Sequence, residues 1–141
     1  MPIEKSFCRR DEIALTRCFG VLTAEDLFAA GELQPESKDM EHVEVIDLRE
    51  VTDMPLAQHE LRRFIARMQT RSANPIRVAL VASRVLAFGM ARMFEALLEL
   101  ASCPIEVRVF DGATGVAEWL LRGKSADHVE WLCERLASDE R

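Results

Sequence analysis

Several signals that would place a protein at once are missing from this sequence. No stretch approaches the roughly 20 consecutive apolar residues of a membrane-spanning helix. The opening segment, MPIEKSFCRR, has no apolar run behind its charges and is not expected to act as a secretory signal. Cys8, Cys18, Cys103 and Cys133 are scattered, without a C-x-x-C pair, and His42, His59 and His128 stand in no metal-ligand spacing. The expectation is therefore free, buried thiols in a reducing cytoplasm, with no metal and no other cofactor. G-x-S-x-G is absent, so Ser83 is not the nucleophile of a hydrolase elbow. Internal repeats and low-complexity segments are absent as well.

What remains has the balance of a globular domain. Of 141 residues, 49% are hydrophobic and 30% charged, which is neither disordered nor membranous. Acidic side chains outnumber basic ones, 24 to 18, for a net charge of −6. Such a chain repels phosphate backbones, and no nucleic-acid partner is expected. Arg63, Arg67 and Arg71 recur at helical spacing in RFIARMQTR and are read as a solvated helix face.

Strand and helix patterns alternate. DEIALTRCFG sets Ile13 and Leu15 against Ala14, Thr16 and Cys18, a half-buried antiparallel strand with IEKSFCR beside it as an edge. Gly20 permits a turn, and Thr23 with Asp26 three residues on predicts a capping box for the following helix. VEVIDL and IRVALVA are strands, the second apolar at both parities and so covered on both faces. Between them, Pro55 opens a helix over 55–70 with Leu61, Phe64, Ile65 and Met68 on one face. Ser83 is placed to cap a helix over 86–101. CPIEVRVF is a strand with one wet face. Asp111 is placed to cap a short helix anchored by Val116, Trp119 and Leu120, and Gly123 stops it. A last helix over 126–137 carries Val129, Leu132, Cys133 and Leu136 on one side, with Trp131 off it. This order predicts an α/β fold: a mixed, mostly parallel sheet of about five strands with helices packed against it, plus an extra C-terminal helix.

In that order and spacing, GVLTAEDL, VEVIDLREV, IRVALVAS, ARMFEAL and VRVFDGATGVAEWL resemble the SpoIIAA-like proteins of the STAS group. The likeness spans Phe7 to about Leu121, so the chain is read as a single domain, core 7–122, followed by the helix 126–137. The resemblance implies the mixed sheet of anti-sigma-factor antagonists and of the CRAL-TRIO lipid-transfer fold. It also implies a non-catalytic module that binds a small apolar, lipid-like molecule or a partner protein. In those antagonists a partner kinase phosphorylates a serine at the helix start after this strand. Here that stretch is Asp53-Met54-Pro55-Leu56-Ala57. It holds no serine, and no phosphorylation switch is expected.

The residues themselves offer few catalytic candidates. Asp47, Glu50 and Asp53 sit at a strand end, where Asp47 is expected to hold local backbone N–H groups and the other two to be solvated. A small hydrolase built on Asp47, Asp53 and Ser83 would lack a histidine base in any recognisable context. The helix 86–101 is more informative. Arg92, Glu95 and Glu99 fill one narrow polar sector, and apolar side chains occupy well over half of the circumference. Met90, Phe94, Leu97 and Ala101 suffice to pack on a sheet, which leaves Met93, Leu98 and Leu100 beside that stripe. The surplus calls for cover by a neighbouring helix, a second subunit in a homodimer, or an apolar ligand. The expected ligand walls are Leu61, Ile65, Met68, Met90, Met93, Phe94 and Leu97, with Ser83 or Arg84 at a polar head group. Phe88 and Trp131 are the expected partner-binding residues.

Overall fold

The computed structural model describes residues 3–8, 13–31, 42–70, 75–122 and 126–137. In chain order these form β1 (Ile3–Phe7), β2 (Ile13–Val21), α1 (Ala24–Gly31), β3 (Val43–Asp53), α2 (Gln58–Gln69), β4 (Arg77–Val81), α3 (Val85–Leu100), β5 (Glu106–Phe110), α4 (Val116–Leu120) and α5 (Ala126–Ala137). The strands lie side by side in the order β1-β2-β3-β4-β5. β1 runs antiparallel to β2, and every later neighbour is parallel.

Successive right-handed crossovers that advance across a sheet in one direction place their helices on one face. Accordingly α1, α2 and α3 pack on the side formed by Cys18, Leu48, Val78 and Leu80. On the other side α4 and α5 cover Ile13, Leu15, Val43, Val45, Ala79 and Val81. The register sets Val45 between Leu15 and Ala79, so the three innermost strands contribute matched side chains to one layer.

β2 is not half-buried. Ile13, Ala14, Leu15, Thr16 and Cys18 are all buried, because helices lie over both of its faces. Gly20 makes no turn but sits inside β2 with φ +60, next to register irregularities against β3. Such a bulge re-aims a strand end. β3 likewise continues past Leu48 to Asp53, because Gly20 pairs with Val51 and Val21 with Asp53.

The helix starts also differ from expectation. α2 begins at Gln58, with Ala57 as its N-cap, so Pro55 lies ahead of the helix rather than in its first turn. Arg84, with extended backbone, is the N-cap of α3 and makes no side-chain cap, while Ser83 is exposed. Gly115, at φ +82, takes the N-cap of α4 in place of Asp111. Trp119 is only half-buried, against Phe110 at 5.8 Å between ring centroids, and Ala117 takes its expected place in the core. The capping box of α1 forms: Asp26 N–H donates to Thr23 Oγ1 at 3.2 Å, and Thr23 N–H donates to Asp26 Oδ2 at 3.0 Å. Arg71 and Gly123 lie outside the described residues.

Candidate functional site

The site is built where three helices meet over the sheet. Ile46 and Leu48 of β3 and Leu80 of β4 point to the same face and form its floor. Leu22 follows β2 and Met54 follows β3, and both are buried at the ends of their strands. Leu22 N–H donates to the Asp53 carbonyl at 2.9 Å, which holds those two strand exits together. Leu27 of α1, Leu61 and Phe64 of α2, and Met90, Ala91 and Phe94 of α3 form the walls. Between them lies a cavity of about 60 Å³, and every lining side chain is apolar.

An aromatic chain spans the helices above it. Phe28 of α1 meets Phe64 of α2 edge-on, with centroids 5.9 Å apart, and Phe64 meets Phe94 of α3 at 6.0 Å. Arg63 and Arg67 place their guanidinium carbons 5.7 and 5.6 Å from the Phe28 ring. Cation–π contact of this kind fastens a ring at a wet rim. The cavity is therefore apolar at its floor and edged by positive charge one ring away from its wall.

Of the residues expected to wall a ligand site, Leu61, Met90 and Phe94 line this cavity. Met68 is buried in the surrounding core. Ile65 and Leu97 line a separate, open groove between α2 and α3. Met93 faces away, and neither Ser83 nor Arg84 borders the cavity. Phe88 packs half-buried against the core instead of standing out for a partner. Trp131 is half-buried under the Arg135 guanidinium, 4.8 Å from its ring centre, and packs on the α5 side of the sheet. Leu22, Leu27, Ile46, Leu48, Met54, Phe64, Leu80 and Ala91 line the cavity without having been expected as walls. The shared parity of Ile46 and Leu48 in β3 was the available signal.

The polar groups do structural duties. Asp47 Oδ1 accepts from the Arg49 backbone N–H at 3.1 Å and from Arg49 Nε at 2.9 Å, and Oδ2 accepts from Nη2 at 2.8 Å. This forked pair is buried on the α5 side of the sheet, across from the cavity. The backbone bond is the one expected of Asp47, and Glu50 and Asp53 are exposed as expected. A second polar set, Thr16, Glu44 and Lys5, ties the first three strands: Thr16 Oγ1 donates to Glu44 at 2.7 Å, and Lys5 stands 3.5 Å from the same carboxylate. The Cys18 thiol is pushed up to about 12 by burial, with Glu44, Asp47 and Asp26 adding to the shift. It stays protonated and is no nucleophile. Among the described residues, no three His, Cys, Asp or Glu side chains gather as a metal site, and no helix is long and apolar enough to cross a membrane.

A mixed five-stranded sheet in sequential order, with three crossover helices on one face and α4 and α5 on the other, has a SpoIIAA-like fold. A solved structure shares it: an uncharacterized protein from the DUF3478 family with a SpoIIAA-like fold, from Shewanella loihica PV-4. The two chains are 21% identical, with a TM-score of 0.50, over 84% of this chain and 91% of that one. No family model and no curated protein matches the sequence.

Proposed function

We propose that this chain is a non-catalytic binding module that takes up a small apolar ligand between α1, α2 and α3. The observation that carries the reading is the cavity walled only by apolar side chains at the meeting of three helices. A cavity of about 60 Å³ is well under the roughly 150 Å³ of an engineered cavity that admits benzene. A larger guest therefore enters by parting α1 from α2 at the Phe28–Phe64 contact. α1 has eight residues, the fewest of these three helices, and is the element best suited to move. The head-group role expected of Ser83 and Arg84 passes to Arg63 and Arg67, which stand over Phe28 at the rim. A ligand with an apolar tail and an anionic end matches both features.

The exposed apolar surplus of α3 fits a module that works by association, whereas α5 spends its apolar side within the chain, with Leu132 and Leu136 buried. The ligand reading is tested with 8-anilinonaphthalene-1-sulfonate, an anionic apolar fluorophore, and with native mass spectrometry of the purified protein. Wild type is expected to bind the dye with enhanced emission. Ala91→Leu, which fills the cavity, is expected to abolish that emission while retaining helical circular dichroism. Equal dye binding by the folded variant, in a protein that carries no ligand on purification, would overturn the reading.

A further inference from the structure

The solvent side of α3 carries a second feature, distinct from the cavity. Ala87, Ala91, Phe94 and Leu98 face inward. At about 100° per residue, Leu86, Gly89, Met93, Ala96 and Leu100 fall together on an adjoining sector. Their alternating spacing of three and four is the seam of a helix pair, which averages about 3.5 residues. Among the described residues this seam is left open: Leu86 is 48% exposed, Met93 36% and Leu100 79%. A Cβ at Gly89 would meet no atom within 4 Å, so another backbone has room to approach there.

At the Leu100 end of this seam α2 supplies the opposite bank. Arg62, Ala66 and Gln69 face Leu97, Leu100 and Ala101 across an open groove of about 280 Å³. The Gln69 side-chain amide donates to the Ala101 carbonyl at 3.1 Å and fixes the two helix ends side by side. This groove and the apolar cavity share no lining residue.

We propose that the α2–α3 groove docks an amphipathic helix of a partner protein, apolar toward Leu86, Met93 and Leu100 and acidic along the edge that meets α2. Charge selects this occupant. On its groove side α2 presents Arg62 and no carboxylate, on a chain whose net charge is −6, while Arg63 and Arg67 stand on the other flank of the helix over Phe28. A helix edged with carboxylates is attracted to this ridge and repelled by the molecule as a whole, which orients its approach. A second copy of this chain is a poorer match. A twofold contact on the seam sets residues near the axis against themselves. Centred on Met93, it would bring the Arg92–Glu95 ion pair, 2.9 Å long, toward its own copy and offer Arg62 no row of carboxylates.

The test uses two labelled synthetic helices with leucine at alternating spacings of three and four, one flanked by glutamate and one by lysine. Fluorescence anisotropy at low salt is expected to show the glutamate helix binding the full chain roughly tenfold more tightly than the lysine helix. Leu100→Glu should lose the interaction, and Arg62→Glu should narrow the preference between the helices. Leu100 is exposed enough for its variant to fold, which circular dichroism verifies, and Met93→Glu provides an independent second variant. Equal binding of both helices, or undiminished binding by Leu100→Glu, would overturn the proposal. So would a homodimer in light scattering that Leu100→Glu dissolves, or Leu100-dependent sedimentation with phosphatidylglycerol vesicles without helix selectivity.

Discussion

The guanidinium of Arg49 donates to the carbonyl of Leu136 at 3.0 Å while its fork holds Asp47. That contact joins β3 to the last turn of α5, 87 residues away in the chain. Arg17 of β2 does the same for the neighbouring carbonyl, with Nη2 2.6 Å from Arg135 O. The last carbonyls of a helix lack intrahelical donors and carry the negative end of its dipole. Two sheet arginines supply both donors and countercharge, so α5 is seated by polar contacts at its C-terminal end and by Leu132 and Leu136 along its side.

Removing Arg49 should therefore cost more than a surface ion pair. Arg49→Ala strands Asp47 in a buried position, a loss of about 3–5 kcal/mol for a broken buried pair. Replacing both residues, as Asp47→Asn with Arg49→Met, removes the stranded charge and should recover part of that loss. Urea denaturation of the single and double variants measures the difference, and additive losses would mean that the two side chains are not coupled.

Cys18 gives a pH dependence whose sign follows from its environment. In the folded chain its thiol is raised from 9.0 to about 12, so the folded state keeps the proton that the unfolded chain releases. This stabilisation is complete below pH 9 and is lost as pH rises toward 12. Between pH 8 and 10 the wild type should lose about 1 kcal/mol more stability than Cys18→Ala. In the native state Cys18 should resist iodoacetamide at pH 8, whereas the exposed Cys133 reacts.

α2 carries half of a capping box. Ala57 N–H donates to Glu60 Oε1 at 2.9 Å, but alanine has no side-chain oxygen to return the bond. Ala57→Ser supplies it and should stabilise the fold by about 1 kcal/mol, read as a higher midpoint of thermal unfolding.

Much of the architecture was legible because burial leaves a period. The unbroken apolar run of β4 reported two covered faces, and Leu61, Ile65 and Met68 marked the inner side of α2. Other features depend on neighbours that a period does not encode. Polar Arg49, Glu50, Thr52 and Asp53 hid the second half of β3, which exists because the bulged end of β2 pairs with it. The wheel of α3 was turned toward Met90 and Ala101, whereas small Ala87 and Ala91 let the backbone settle close to the sheet and drew Phe88 inward. Of the expected surplus, Met93 and Leu100 are exposed and Leu98 is buried in the core, while Val85 and Leu86 are exposed as well and Phe88 packs half-buried against the core. A ligand site was expected between two helices, whereas the cavity has walls from three. Its third wall, Leu27, comes from α1, a helix too short for its period to announce a site.

That third wall shapes the last prediction. Leu61 is buried and reaches the cavity from α2, between the floor of Ile46 and Leu80 and the aromatic contact of Phe64. Leu61→Ala enlarges the existing cavity. It should destabilise the chain by about 2–5 kcal/mol, since the lost transfer energy is joined by the cost of a larger void. An enlarged apolar void stays dry and accepts a small apolar guest. Saturating benzene should therefore raise the unfolding midpoint of Leu61→Ala and leave that of Ala91→Leu unchanged, because a guest bound only by the folded state stabilises it by mass action. Thermal unfolding with and without benzene makes the comparison. If benzene stabilises neither variant, the space beneath the three helices has collapsed around the substitution, and α1 is too loosely seated to hold a ligand chamber open.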